Sequence, residues 1–156
     1  MKAEVVAAEP WHAEAIGKHV RDADVDELWS GARATPAMCM EYGMRFNART
    51  GLVDGAPVCM FGVVPFSLLM GSGTPWMVTT TTLDDRRVWR AFALHSRIEF
   101  EAIKARHNVL WNVVDERNDN AKRWLRWLGF ELGVPFIYGK NGEPFRAFQW
   151  ERTHVE

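Results

Sequence analysis

Three places in the chain gather residue types that can do chemistry. The first is the run Trp111-Asn112-Val113-Val114-Asp115-Glu116, an apolar stretch that ends in two carboxylates. Asp115 and Glu116 are candidate general bases there, although strand ends also carry charge for solubility alone. Asn112 is an amide in otherwise apolar surroundings, and a buried amide needs partners. It can hydrogen-bond a carbonyl of a bound molecule or bridge to neighbouring backbone. The second place is Thr82-Leu-Asp-Asp-Arg-Arg-Val-Trp89, where Arg86, Arg87 and, one residue further on, Arg90 could pair with phosphate oxygens. Asp84 and Asp85 in the same stretch would satisfy a helix dipole themselves and repel an anion. Such a mixture also reads as an ordinary solvated helix start. The third is the acidic run Asp22-Ala-Asp-Val-Asp-Glu27. The five histidines and two cysteines share no metal-ligand spacing, so no metal is expected. Gly71-Ser72-Gly73 is a turn rather than a nucleophile elbow, and His95 falls in an apolar stripe, as a hydrogen-bonded core histidine would.

These groups must be positioned by an alternation of strands and helices. Glu4 to Ala8 is a candidate first strand, closed by Pro10, and Trp11 to Val20 reads as helix. The acidic run leads to a second helical turn near Leu28 and Trp29. Thr35 can cap a helix with Pro36 at its first position, running to Asn47. Asp54-Gly55 joins two β-rich runs, Arg49 to Val53 and Pro57 to Leu69, as a two-residue hairpin, with Pro65 marking an edge or bulge. Trp76 to Leu83 is a Val- and Thr-rich strand. Asp85 to His107 is the longest helix, with Val88, Ala91, Phe92, His95, Ile98, Ala102 and Ile103 on its apolar face. Val109 to Val114 is a strand, and Val134 to Tyr138 and Pro144 to Trp150 are two more, joined by Asn141-Gly142.

The segment Asn118 to Phe130 carries the sharpest local signal. Ala121, Trp124, Leu125 and Leu128 lie at i, i+3, i+4 and i+7 on one helical stripe. Asn118 or Asp119 can cap its start, and Gly129 can take the left-handed turn at its end, bringing Phe130 back onto Leu125.

Composition sets the frame. With 156 residues, 47% apolar and 25% charged, the chain is expected to form one domain spanning 1–156 with a core of its own. A net charge of −1 offers no field to recruit nucleic acid or an anionic membrane. Cys39 and Cys59 are too few and too scattered for a disulfide framework, and no apolar window reaches a membrane span, so a cytoplasmic protein is expected. The eight tryptophans are expected as core or interface anchors.

The order of elements, with Val114-x-x-x-Asn118-x-x-Ala121 followed by Leu125-x-x-x-Gly129-Phe130, resembles the GNAT N-acetyltransferase superfamily. The motif covers Thr74 to Phe130, and the element order extends over nearly the whole chain. A narrower resemblance, carried by Pro75-Trp76-Met77, Ser96-Arg97, Trp111 to Val114 and Trp124 to Phe130, is to the GNAT-like proteins of tailed phages, labelled internal virion protein or phage acetyltransferase. The resemblance implies an α/β (α+β) fold, a mixed and mostly antiparallel sheet of six to seven strands with helices on both faces. It implies acetyl-CoA as co-substrate, with the pantetheine arm between two splayed strands. Val78, Thr79 and Thr80 would pair with it there, Asn118 would lie beside it, and Arg86 and Arg87 would meet the pyrophosphate at the start of the long helix. If the protein is phage-encoded, its compartment would be the host cytoplasm. A second copy of the chain or another phage protein would be its macromolecular partner.

Two departures stand out. The superfamily's glycine-rich pyrophosphate loop is missing, since Thr82 to Trp89 contains no glycine. The family's usual tyrosine acid aligns with Leu125, leaving water, Tyr138 or Tyr42 to supply a proton. Asn112, Asp115 and Tyr138 are therefore the candidate catalytic residues. The expected reaction is transfer of an acetyl group to an unidentified amine, with Asp22, Asp24, Asp26 and Glu27 as an acidic rim for a cationic acceptor. The alternative is a GNAT-fold protein without catalysis, acting in interaction or virion assembly. A third reading takes Lys122 to Leu128 as a nucleic-acid or membrane helix, but a domain core would consume its apolar stripe.

Overall fold

Local sequence explains most of the elements. The computed structural model describes residues 1–153. They run β1 (Ala3–Ala7), α1 (Pro10–Gly17), α2 (Asp22–Ala32), α3 (Pro36–Gly43), β2 (Arg49–Val53), β3 (Ala56–Ser67), β4 (Ser72–Thr79), α4 (Arg86–Ala105), β5 (Val109–Asp115), α5 (Asp119–Leu128), β6 (Glu131–Leu132), β7 (Phe136–Ile137) and β8 (Pro144–Glu151). Thr35 caps α3 by accepting from the Met38 amide at 3.2 Å, with Pro36 just inside the helix. Asp54 (φ 49°) and Gly55 (φ 81°) form a tight β2–β3 turn with both central residues left-handed, as its Asp-Gly pair predicts. The β3–β4 register slips between Pro65 and Ser67, where proline cannot donate to the ladder.

The strands form one mixed sheet in the order β1-β2-β3-β4-β5-β8-β6, with β7 pairing along β8. Every pairing is antiparallel except β4 with β5. This is the expected mixed, mostly antiparallel sheet with helices on both faces. Among the described residues it has eight strands rather than six or seven. The added piece is β6, two residues that follow the Gly129 stop directly and pair with Gln149 and Phe148.

Each face has its own core. Helices α1 to α3 cover Met60 and Val78 with Ile16, Met40 and Leu28. Helices α4 and α5 cover Leu110, Val114 and Phe148 with Phe100, Leu125, Leu128 and Phe130. In α5 the Asn118 side chain accepts from the Ala121 amide at 3.2 Å, settling the start between the two candidate caps. Gly129 sits at φ 108°, and the Phe130 amide returns to the Leu125 carbonyl at 3.1 Å. That geometry closes the helix and drives Phe130 into the same core, where burying one such side chain contributes about 1.5–3 kcal/mol.

Several expectations give way. Strand β4 ends at Thr79, not Leu83, because His19 to Arg21 compete for the next residues: Thr81 donates to the His19 carbonyl and Arg21 to the Thr79 carbonyl. Thr81–Asp84 is a 3₁₀ turn, so Asp84 precedes the long helix, while Asp85 caps it by accepting from the Arg87 amide at 2.8 Å. In α4 Ile98 and Ala102 face outward, and the buried positions are Val88 and Phe100. The strand expected from Val134 to Tyr138 is only the two-residue β7, and the following turn spans Gly139 to Gly142, wider than a two-residue hairpin. None of the eight tryptophans is fully buried, and Trp11, Trp29, Trp89, Trp111 and Trp127 are exposed. Among the described residues no helix is long and apolar enough to cross a membrane.

Candidate functional site

The sheet parts in its middle. Strands β4 and β5 pair only at Ser72 with Val109 and Gly73 with Leu110. Beyond that β4 follows β3, β5 follows β8, and a gap opens between them. Asn112 bridges its narrow end, its Nδ2 donating to the Pro75 carbonyl at 2.7 Å and its Oδ1 accepting from the Val113 amide at 2.7 Å.

Ladder alternation decides which backbone groups reach the gap. The Thr80 amide donates to the Val58 carbonyl at 3.0 Å, so Thr80 and Val78 turn their amides to β3. Met77 and Thr79 therefore turn theirs into the gap. On β5, the Glu116 amide pairs with Pro144 and the Arg152 amide with Asn108, which leaves Val113 and Asp115 facing the gap.

Helix α2 lies across the wide end. Asp24 and Glu27, three residues apart, share one helical face. Asp24 Oδ2 accepts from the Thr79 amide at 2.7 Å and from its hydroxyl at 2.6 Å. Glu27 Oε1 accepts from the Asp115 amide at 2.8 Å. One helix thus caps a free amide on each strand. Burial raises the Asp24 carboxyl above the ordinary range, against the Thr79 hydrogen bonds. Burial also pushes Glu27 up to about 7, opposed by the Asp115 amide and reinforced by the charges of Asp24 and Asp115.

A cavity of about 380 Å³ runs through the gap and reaches both faces of the sheet. Asp24, Glu27, Gly31, Tyr138 and Phe145 line it on the α2 side, and Val88, Phe92, Ser96, Ala121 and Trp124 on the side of α4 and α5. Beside its second mouth lies a groove between the N-terminal turns of α4 and α5, lined by Arg21, Arg86, Arg123, Trp89, Trp124 and Trp127, with Asp84 among them. Rings stack from Trp89 to Phe92 (5.2 Å) and on to Trp124 (5.4 Å), tying the two helices together. The groove can take an anion on its arginines and two helix starts, against the charge of Asp84, which Arg21 faces at 3.6 Å.

The structure brings Thr79, Asn112, Asn118 and Tyr138 to the wall of one space, with Asp115 just behind it, its amide bound to Glu27. Their free chemistry differs from their composition. Asn112 has both ends of its amide engaged by backbone. The Asp115 carboxylate is buried and held by Arg117 through Nε at 2.9 Å and Nη2 at 2.5 Å. Glu116 is held by Arg146 and Lys122, and Arg146 chiefly pulls its carboxyl down to about 2, too acidic to take a proton from an amine. The Tyr138 ring packs 5.3 Å from Phe145 and is half exposed at the cavity wall. Asn118 serves as the α5 cap and lies against Glu27.

Corrections fall on the ligand-pairing residues. Val78 and Thr80 cannot pair with a molecule in the gap, because their amides belong to β3; of the three expected there, only Thr79 faces it, and its amide is held by Asp24. Arg86 lines the groove, whereas Arg87 turns to Asp85 at 3.6 Å. Of the acidic rim, Asp22 and Asp26 are solvated and only Asp24 and Glu27 turn inward. His95 lies on α4, across the sheet from them. By sequence alone Glu27 is one acid of a rim, with no individual role. The i, i+3 spacing of Asp24 and Glu27 was the available signal, masked by the charged residues between and around them.

The fold is shared with solved N-acetyltransferases. A ribosomal-protein-alanine N-acetyltransferase from Brucella melitensis superposes with a TM-score of 0.72 at 15% identity, covering 96% of this chain and 99% of that one. An N-acetyltransferase from Staphylococcus aureus gives 0.70 at 13% identity, with 97% and 99% covered. A ribosomal-protein-alanine N-acetyltransferase from Escherichia coli gives 0.67 at 14%, with 99% and 97% covered. No protein-family model matches the chain, and no curated protein sequence matches it. The architecture is the GNAT fold, and identities this low establish the fold alone.

Proposed function

We propose that this protein is an acyl-CoA-dependent N-acyltransferase that moves an acetyl group from acetyl-CoA to an amine. One observation carries the reading: the sheet opens between β4 and β5 into a cavity that reaches both faces, with cations at one mouth and carboxylates at the other. A thioester with an anionic tail fits that polarity. Arg21, Arg86 and Arg123 would hold the phosphates beside the starts of α4 and α5. The thioester end would lie in the gap, near the main chain of Met77 and Thr79. The amine would arrive from the α2 side, between the inward carboxylates and Tyr138. Such a transfer depends chiefly on orientation, with a backbone amide polarising the thioester carbonyl.

A specific feature favours a second reading. The gap-facing amides of Thr79, Val113 and Asp115 are all capped by side chains of this chain, as in a fold that has ceased to bind CoA. In that reading, which matches the tailed-phage resemblance, the protein acts in interaction or virion assembly. Calorimetric or thermal-shift titration with CoA and acetyl-CoA separates the two. Saturable binding is expected, with about 2.7 kcal/mol of stabilisation at 100 times the dissociation constant. Absence of any shift at millimolar CoA overturns the enzyme reading and leaves the second.

A further inference from the structure

We propose that Glu27 is the proton acceptor of the reaction, taking a proton from the incoming ammonium at the α2 mouth of the gap. This rests on the N-acyltransferase reading above. Four carboxylates lie on or near the wide end of the gap, and three have other employment. Asp115 is forked by Arg117, Glu116 is held by Arg146 and Lys122, and Asp24 accepts twice from Thr79. Glu27 accepts from the Asp115 amide through Oε1, has only the neutral Asn118 amide beside it as a further donor, and lines the cavity. No cation pairs with it within salt-bridge distance among the described residues, so its charge is not neutralised by the protein. Strand β4 carries no titratable side chain, and His95 is on the opposite face.

The groups around Glu27 set its proton affinity. Asp24 faces it from its own helix, Asp115 from the end of β5, and the Asn118 amide from the start of α5. Arg117 is engaged by Asp115, while Arg21 lies near Asp24 and Cys39 on α3 faces Asp24. Burial, helped by the two acidic neighbours, brings the carboxyl up to about 7, where a base is half ionised at neutral pH and matched to its task.

The step balances without any further reactant. Glu27 removes one proton from R–NH3⁺, and the freed lone pair forms the N–C bond as the carbonyl π pair moves to oxygen. The oxygen pair then returns, the C–S bond breaks, and the sulfur leaves with the electrons. The second nitrogen proton passes to the thiolate through water, and Glu27 returns its own to solvent. The products are the amide, the CoA thiol and one proton.

The test compares the full-length protein with Glu27→Gln, which keeps the shape and the acceptor for the Asp115 amide. CoA binding is measured by calorimetry, and CoA release from acetyl-CoA is followed with a panel of primary alkylamines between pH 5.5 and 9. CoA affinity should stay within about threefold, while turnover at pH 7 falls by about 10²–10⁴-fold. The wild-type rate should rise with a midpoint near 7, and that midpoint should vanish in the variant, leaving a rise that tracks the free amine. A variant with the wild-type rate and profile overturns the assignment. Carboxyl-carbon NMR of ¹³C-labelled protein gives a readout independent of turnover: the signal that Glu27→Gln removes should titrate near 7, and a midpoint below about 5 overturns the proposal whichever amine is used. Failure to bind CoA overturns the acyltransferase reading itself, and the assignment with it.

Discussion

Replacing Glu27 with glutamine should change how stability depends on pH, whatever the protein acts on. The carboxyl stands at about 7 in the folded chain against an ordinary 4.5, because α2 carries it out of water and sets it beside Asp24 and Asp115. A raised carboxyl means that the folded state binds the proton more tightly than the unfolded state does. Glu27 therefore favours folding fully below pH 4.5, and that advantage is lost as pH rises through about 7. At about 1.36 kcal/mol per pH unit, the interval corresponds to roughly 3 kcal/mol at most. Glutamine still accepts from the Asp115 amide and carries no charge to desolvate. The assay is urea unfolding of both proteins at pH 4.5, 6, 7 and 8.5, taking the difference at each pH so that His12 and the other titrating groups cancel. The difference should be small at pH 4.5 and grow to between one and three kcal/mol in favour of the variant at pH 8.5, on the scale of that ceiling. A constant difference across this range would refute the argument that Glu27 is held protonated by burial, and a variant less stable at pH 8.5 would reverse its sign.

Other outcomes follow from the same contacts. Asp24→Ala should release the Thr79 amide and tighten CoA binding by about tenfold, since a hydrogen bond to a charged group is worth about 1.5–3 kcal/mol and must break for a ligand to use that amide; unchanged affinity in calorimetry would show that the amide is not used. Asp84→Asn should tighten CoA by up to about fivefold, from repulsion on the order of 1 kcal/mol per charge pair near 4 Å in water, and weaker binding would mean that Asp84 helps build the groove. Asn112→Leu should cost about 1–3 kcal/mol in urea unfolding by stranding the Pro75 carbonyl and the Val113 amide. Leu125→Ala should cost about 2–5 kcal/mol, as it empties the centre of the α4–α5 core.

The legible parts of this molecule were those decided within a few residues. The Asn118 cap, the Gly129 stop and the apolar stripe between them depend on one helix, and all three appear as read. The Asp54-Gly55 turn and the Thr35-Pro36 helix start are local in the same sense. Strand β4 failed at its end because Thr79 to Thr82 suits a strand by type, yet the His19–Arg21 segment, some sixty positions earlier, takes the edge. Ile98 departs from its expected inward position because α4 meets the sheet along a narrower face than its apolar residues suggest. The site was half legible. Asn112 and Asp115 were noticed for their types, but their engagement by Pro75 and Arg117 is tertiary. Glu27 looked like one acid among four; only the docking of α2 across the gap separates it from Asp22 and Asp26.

Asp24 has a further meaning when considered as a ligand rather than as a residue. Its carboxylate holds the Thr79 amide from a helix joined to β4's edge by the His19–Arg21 segment, so it is a competitor on a short tether. A competitor held within the same chain acts with a strength independent of how dilute the protein is. Any molecule that needs the same amide competes against that fixed local supply. Its measured affinity is then its intrinsic affinity multiplied by the fraction of chains in which Asp24 has let go. Weak binding to the native protein would thus reflect the tether as well as the cavity, and dilution would not relieve it.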